Sequence, residues 1–345
     1  MTSFLSRHKL LLTLLAVLIL ALLSLAYWFL LLPPRGGSTA KIVTIKRGMP
    51  LWKISAALEQ EGLIRNRHLF VGITTLLGKK GKIKAGEYEL HAGMSSLQVL
   101  GILVRGQVKR HVVTVVEGYT IYQIAQLLED SKIVGKEAFL QKALSPPFIS
   151  SLGLVHLSDA ARISTLEGYL FPDTYHLVKE MDPEEIIQIM VHRFNKVFSP
   201  DVERMLSQLG RSQREVVILA SIIEKETPLP EEKPLISAVL HNRLKKRIPL
   251  QSDPTVIYGI KNFDGNLKKR HLLTRTPYNT YLFSGLPPTP ICNPGRDSLL
   301  AALRPAPVPY LYFVSRNNGS HHFSSTIGEH NQAVWRYQKQ RAPRK

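Results

Sequence analysis

Two glutamates end a run of residues that otherwise belongs in a protein core. From Val216 to Pro228 the chain reads VVILASIIEKETP, so Glu224 and Glu226 follow an apolar stretch with Lys225 between them. A carboxyl group in such surroundings can act as a proton donor, because desolvation disfavours its charged form and raises its pKa. It can equally be half of a buried ion pair with an Arg or Lys, and the spacing does not choose between the two. Ser212 and Glu215 stand at capping-box spacing, and Thr227-Pro228 closes the segment because the residue before proline resists the helical region. A helix apolar on all sides is buried. Residues 217, 220, 221 and 224 share one of its faces, whereas Glu226 lies about 200° around the axis from Glu224. The two carboxylates are therefore expected in different sites.

The rest of the chain must supply the frame. Its 345 residues leave room for two domains, and an apolar share of 44% is that of a globular protein with a core. A formal charge of +19 points to an anionic partner or surface. No helix-turn-helix, RNP or zinc-finger signature accompanies the basic residues, so nucleic acid is not an expected partner. Clusters such as Lys245-Lys246-Arg247 and Lys268-Lys269-Arg270 read as solvated faces. Cys292 is the single cysteine, which excludes a disulfide within the chain and a four-cysteine zinc site. His321 and His322 are adjacent and face opposite ways on a strand, so no metal site is expected. There is no glycine-rich phosphate loop, and no cofactor is expected.

Leu10 to Leu32 contains neither charge nor proline. As a helix it is roughly 35 Å long, enough to cross a hydrocarbon core. Tyr27 and Trp28 lie near its far end, as interfacial aromatics do. The expectation is an uncleaved transmembrane anchor at 10–32, a cytoplasmic tail at 1–9 and a linker at 33–40. Arg7 and Lys9 precede the span while Arg35, Lys41, Lys46 and Arg47 follow it, a count that by itself opposes export of the body.

Beyond the linker, 41–70 and 111–140 are two copies of a strand-turn-helix unit. Val43, Thr44, Gly48, Ile54 and Leu58 match Val113, Thr114, Gly118, Ile124 and Leu128. The stretch GMPLWKIS in the first copy resembles the opening of a LysM module, a fold that binds N-acetylglucosamine-containing glycans. Tyr88 and Leu90 alternate as in a strand; helical spacing marks 97–104, 183–197, 212–227 and 234–246; YLYFVS at 310–315 is β-like. The class is α+β.

LASIIEKET at 219–227 resembles the active-site signature of the endolytic murein transglycosylases of the MltG (YceG-like) family. LEGYLFPDTYHL (166–177), HNRLKKRIPLQSDPTVIYG (241–259), TPYNTYLFSGLPPTPICNPG (276–295) and YLYFVSRNNGSHHFSSTIGEHN (310–331) resemble it too, in the same order. Pro228-Leu229-Pro230 directly after the signature is an uncommon detail. The resemblance places the catalytic glutamate on Glu224 and assigns no comparable role to Glu226. It implies a small LysM-like β-α glycan-binding module at 41–110 and a larger α+β, YceG-like transglycosylase domain at 111–345. It also implies a bacterial inner-membrane location with the body in the periplasm, and nascent peptidoglycan strands as substrate. Peptidoglycan synthases as partners follow from tethering.

The implied reaction is that of a lyase, cutting the bond between N-acetylmuramic acid and N-acetylglucosamine. Most glycosidases need two carboxylates; a lytic transglycosylase works with one, because the sugar's own 6-hydroxyl is the nucleophile. Gln251, Ser252 and Asp253, together with Tyr278 and Asn279, are candidate cleft residues, since amides, hydroxyls and aromatic faces suit sugars. Asp253, then Glu167 and Asp173, are candidates for a second carboxylate. Asp253 can also cap a helix, and Asn279 can brace a turn. The competing reading is a noncatalytic, membrane-tethered peptidoglycan-binding scaffold in which Glu224 is a structural acid; a true muramidase that uses water is a third.

Overall fold

The computed structural model describes residues 12–21, 24, 27–28, 30–34, 37, 39–154, 163–197 and 200–340. Residues 12–21 are helical. Among the described residues no helix is long and apolar enough to cross a membrane. Residues 10, 11, 22, 23, 25, 26 and 29 of the expected span, and all of the expected 1–9 tail, lie outside the described residues.

The architecture is α+β, with many helices and three separate two-stranded sheets among the described residues. By its contacts the chain forms two compact units. The first runs to His111 and adds Val178–Glu180; the second comprises Val112–Leu177 and Met181–Lys345.

In the first unit β1 (Ala40–Ile45) is followed by α1 (Leu51–Gln60), α2 (Arg67–Leu76), β2 (Gly86–His91) and α3 (Ser96–Arg105). β1 and β2 are antiparallel, with Val43 opposite Tyr88. Alternation along the strands sends Val43, Ile45, Tyr88 and Leu90 into one core with Leu51, Ile54, Leu58, Val99 and Leu103. The Tyr88 hydroxyl, carried into that core, donates to the Lys84 carbonyl at 2.7 Å.

The second unit opens with the second copy of the repeat. β3 (His111–Thr114) pairs with β4 (Thr174–Leu177), and α4 (Ile121–Asp130) stands 70 residues after α1 at both ends. Gly48 and Gly118 hold the turn between strand and helix at φ 77° and 78°. That left-handed conformation suits glycine, which is why the residue recurs. Then come α5 (Lys136–Ala143), α6 (Pro146–Ser151), α7 (Pro183–Val197), α8 (Pro200–Leu209) and α9 (Gln213–Glu226). The chain continues through α10 (Lys233–Lys245), α11 (Asp253–Tyr258), α12 (Lys269–Leu273) and α13 (Arg296–Leu303). A hairpin of β5 (Tyr312–Ser315) and β6 (His321–Ser324) follows, then α14 (Ile327–Val334) and a π-helical turn at Trp335–Lys339.

α9 runs through the core of this unit. Ser212 and Glu215 form the capping box, and Thr227, before Pro228, is extended at φ −146°. Val216 to Ile223 are all buried, and α9 packs on α10 and α13. Of the two adjacent histidines on β6, His321 places Nδ1 2.7 Å from the Glu232 carboxylate.

Candidate active site

Glu224 leaves the last turn of α9 toward the start of α13. Its Oε2 accepts from the Gly295 amide at 2.9 Å and from the Ser298 hydroxyl at 2.7 Å. Gly295 is the N-cap of α13, so the carboxylate sits where the helix presents free N–H groups and partial positive charge. Lys233, in the first turn of α10, places Nζ 3.3 and 3.4 Å from the two carboxylate oxygens. Both side chains are enclosed, with exposures of 4% for Lys233 and 8% for Glu224. The apolar shell expected around Glu224 is thus wrong at the carboxylate itself: the greasy residues surround the helix, and the acid reaches past its end to polar donors.

The segment carrying Gly295 is stitched to α9. Ser221 Oγ accepts from the Ile291 amide at 3.0 Å, and Cys292 Sγ donates to the Ser221 carbonyl at 3.3 Å. Gly295 also meets Glu117, from the turn before α4. A Cβ at residue 295 would collide with Glu117 Oε1, so only glycine leaves room for this carboxylate where it lies. Partial burial, together with the charges of Glu224 and Asp297, raises the Glu117 pKa, and Lys233 opposes the rise.

Glu226 turns the other way, as its angular offset requires. Its Oε1 accepts from Ser252 Oγ at 2.5 Å. Burial pushes its pKa up to about 7, with the Ser252 hydrogen bond lowering it and the Asp253 charge adding to the rise. Gln251 and Asp253 flank Ser252 and are exposed. Gln251 Oε1 accepts from Arg243 Nη1 at 3.2 Å, and Asp253 Oδ1 accepts from the Tyr281 hydroxyl at 2.6 Å.

A separate buried polar network centres on Glu167 and Asn293. Glu167 is fully buried and accepts from the Ile121 amide at 3.0 Å, Asn293 Nδ2 at 2.9 Å and the Tyr258 hydroxyl at 3.0 Å. Burial pushes its pKa up to about 8 despite these donors. Asn293 Oδ1 accepts from the Gly168 and Leu170 amides at 3.0 and 2.9 Å. Asn279 is likewise fully buried, and its Nδ2 donates to the carbonyls of Leu272 and Thr274. A cavity of about 1080 Å³ has Lys225 in its wall and is lined further by Tyr258 and Tyr278, whose rings meet edge-on at 5.0 Å. The Glu224 carboxylate is not part of its wall.

Residues 43–336 match the model of the YceG-like family. The chain belongs to that family. It is 31% identical over 315 residues to the endolytic murein transglycosylase of Bacillus subtilis (strain 168), covering 88% of this chain and 86% of that protein. It is 28% identical over 328 residues to the endolytic murein transglycosylase of Streptococcus pneumoniae serotype 2 (strain D39), spanning 87% of this chain and 59% of that longer relative. A crystal structure of a YceG-like protein from Listeria monocytogenes superposes with a TM-score of 0.60 at 32% identity, over 86% of this chain and 99% of that one.

Within this YceG-like chain the expected site residues fall into three places. Gln251, Ser252 and Asp253 gather around Glu226, Arg243 and Tyr281; Tyr278 lines the cavity; Glu167 and Asn279 are buried braces. Asp173 pairs with Arg193 and makes none of the Glu224 contacts. Sequence reading missed Glu224's own partners, Lys233, Gly295 and Ser298, and the neighbouring Glu117. A signal existed for Glu117: it precedes Gly118 in the second copy of the repeat, where the first copy carries Arg47.

Proposed function

We propose that this chain is a membrane-anchored lytic transglycosylase that cuts nascent peptidoglycan strands internally between N-acetylmuramic acid and N-acetylglucosamine. The observation that carries the reading is the Glu224 carboxylate fixed by Gly295, Ser298 and Lys233, on the signature helix of a family whose named relatives are endolytic murein transglycosylases. Protonated Glu224 gives its proton to the glycosidic oxygen as the bond to C1 breaks. The muramic ring takes up the positive charge, and the three donors stabilise the carboxylate left behind. The ring's 6-hydroxyl then attacks C1, and Glu224 recovers the proton of that hydroxyl. The product ends in 1,6-anhydro-muramic acid, no water is consumed, and elongation of the strand stops. Glu117 lies against Gly295 beside this carboxylate, and partial burial with the charges of Glu224 and Asp297 raises its pKa, with Lys233 opposing the rise.

Gln251, Ser252, Asp253 and Tyr278 are assigned to sugar contacts, with Asn279 and Glu167 bracing the loops that carry them. The anchor is residues 10–32, supported by the exposed Leu12, Leu15, Leu18 and Leu20 of the described helical stretch. The body lies in the periplasm, the first unit is a LysM-like glycan-binding module, and tethering brings the site to strands leaving the synthases.

A second reading has its own support. The near-complete enclosure of Glu224 with Lys233 is also what a structural ion pair in a noncatalytic scaffold looks like. Digestion of polymeric glycan strands by the full chain decides between them, with products weighed by mass spectrometry. Wild type yields anhydro ends, one water lighter than reducing ends, and Glu224→Gln slows this by about 100-fold or more. Anhydro ends released by Glu224→Gln at the wild-type rate would falsify the assignment; reducing ends would make the protein a muramidase.

A further inference from the structure

The cavity that has Lys225 in its wall carries a one-sided charge. Lys225, Lys261 and Arg275 line it, and no acidic residue does. Among the described residues neither Lys261 nor Arg275 has a carboxylate partner, and Lys225 donates to the Gly118 carbonyl at 3.4 Å. Behind the wall Glu167 accepts from the Tyr258 hydroxyl, and burial pushes its pKa up to about 8 although Lys225 opposes the rise. Tyr122, Tyr258 and Tyr278 supply aromatic faces to the same space. Three cations with so little compensation raise the local potential and select an anion. The volume, about 1080 Å³, is at the upper end for a small-molecule site and admits a short peptide.

We infer that this cavity binds the carboxylates of the peptide stem carried by the muramic acid residue at the cleavage site. The inference rests on the reading of peptidoglycan as substrate. The chemistry matches in two respects. The sugars of the strand are neutral, so the acidic groups of this polymer are on its peptides. The stem is attached to the ring whose bond is cut, and the wall residue Lys225 packs beside Glu224 against Gly118, where a Cβ would lie 3.6 Å from both side chains, so a stem on the ring at Glu224 is directed toward the cavity. The Tyr122 and Tyr258 faces pack against the stem's aliphatic portions, Tyr278 stays with the sugar at the cavity's edge, and the cations pair with the stem's carboxylates.

The test is binding to the full-length wild-type protein in detergent. The probe is the disaccharide GlcNAc-MurNAc-tetrapeptide, which lacks the bond to be cut and stays intact. Its methyl ester removes the negative charges and keeps the shape. Farnesyl pyrophosphate stands for the other anion near nascent strands, the lipid-linked pyrophosphate. The free-carboxylate probe is expected to bind about 10-fold tighter than the ester, the size of one charge-assisted contact. In Lys261→Gln/Arg275→Gln, confirmed as folded by an unchanged melting temperature, that ratio falls to about one. Lys261→Arg keeps it. Equal binding of acid and ester by wild type overturns the inference. So does a ratio that survives the double substitution, or binding of farnesyl pyrophosphate alone. Loss of anhydro products from polymeric strands is a separate result that strikes the proposed reaction and leaves this binding measurement standing.

Discussion

Lys233 Nζ lies within 3.4 Å of both carboxylate oxygens of Glu224, and neither side chain has appreciable access to solvent. A charged pair in that position couples stability to chemistry. Its two members come from the end of one helix and the start of the next, so the exit of α9 and the entry of α10 are held by the group proposed to move a proton.

Removing the cation leaves an enclosed carboxylate without its counter-charge. Lys233→Met is expected to destabilise the protein by about 3–5 kcal/mol. For a unit of this size that lowers the melting temperature by on the order of 10 °C. Thermal denaturation followed by circular dichroism checks this; a melt equal to wild type would mean that the pair contributes nothing to the fold.

Gly295→Ala separates stability from position. The new Cβ would collide with Glu117 Oε1, and that atom is the far end of a flexible side chain that can swing away. The melting temperature is expected to change little. Strand cleavage is expected to fall by on the order of 10- to 100-fold, because the carboxylate cluster around Glu224 is displaced. Glu117→Gln should reproduce the loss. Full activity in both variants would remove Glu117 from the mechanism.

Glu226 makes stability depend on pH with a definite sign. Its pKa is near 4.5 when unfolded and about 7 in the fold, so the native state holds the proton more tightly. This contribution is fully present below pH 4.5 and is lost as pH rises through about 7. Glu226→Gln keeps an acceptor for the Ser252 hydroxyl and cannot titrate. Melting curves taken from about pH 5 to about pH 8 should therefore slope downward less in Glu226→Gln than in wild type. Parallel slopes would contradict the assignment.

Asn293→Ala removes the acceptor for the Gly168 and Leu170 amides and the donor to Glu167. Each buried group left unsatisfied costs about 1–3 kcal/mol. The variant is expected to melt well below wild type, and an unchanged melt would show that water or a shifted neighbour takes over these bonds.

Much of this was legible in the residues alone, because it depends on neighbours a few positions apart. The capping box at Ser212 and Glu215, the proline after Thr227 and the unbroken apolar run set the ends and the burial of α9. The helical period alone sends Glu224 and Glu226 to different partners. The repeat announced two equal helices, each entered through a glycine turn, and both are present. What surrounds the Glu224 carboxylate was not legible. Lys233 looked like one more base in a basic chain, while Gly295 and Ser298 stand 71 and 74 residues away from the glutamate they hold. Local periodicity tells a side chain which way to leave its helix. Only the packing of α9 against α10 and α13 decides which charge and which free amide meet it there, because those contacts depend on chain segments that no short-range pattern relates.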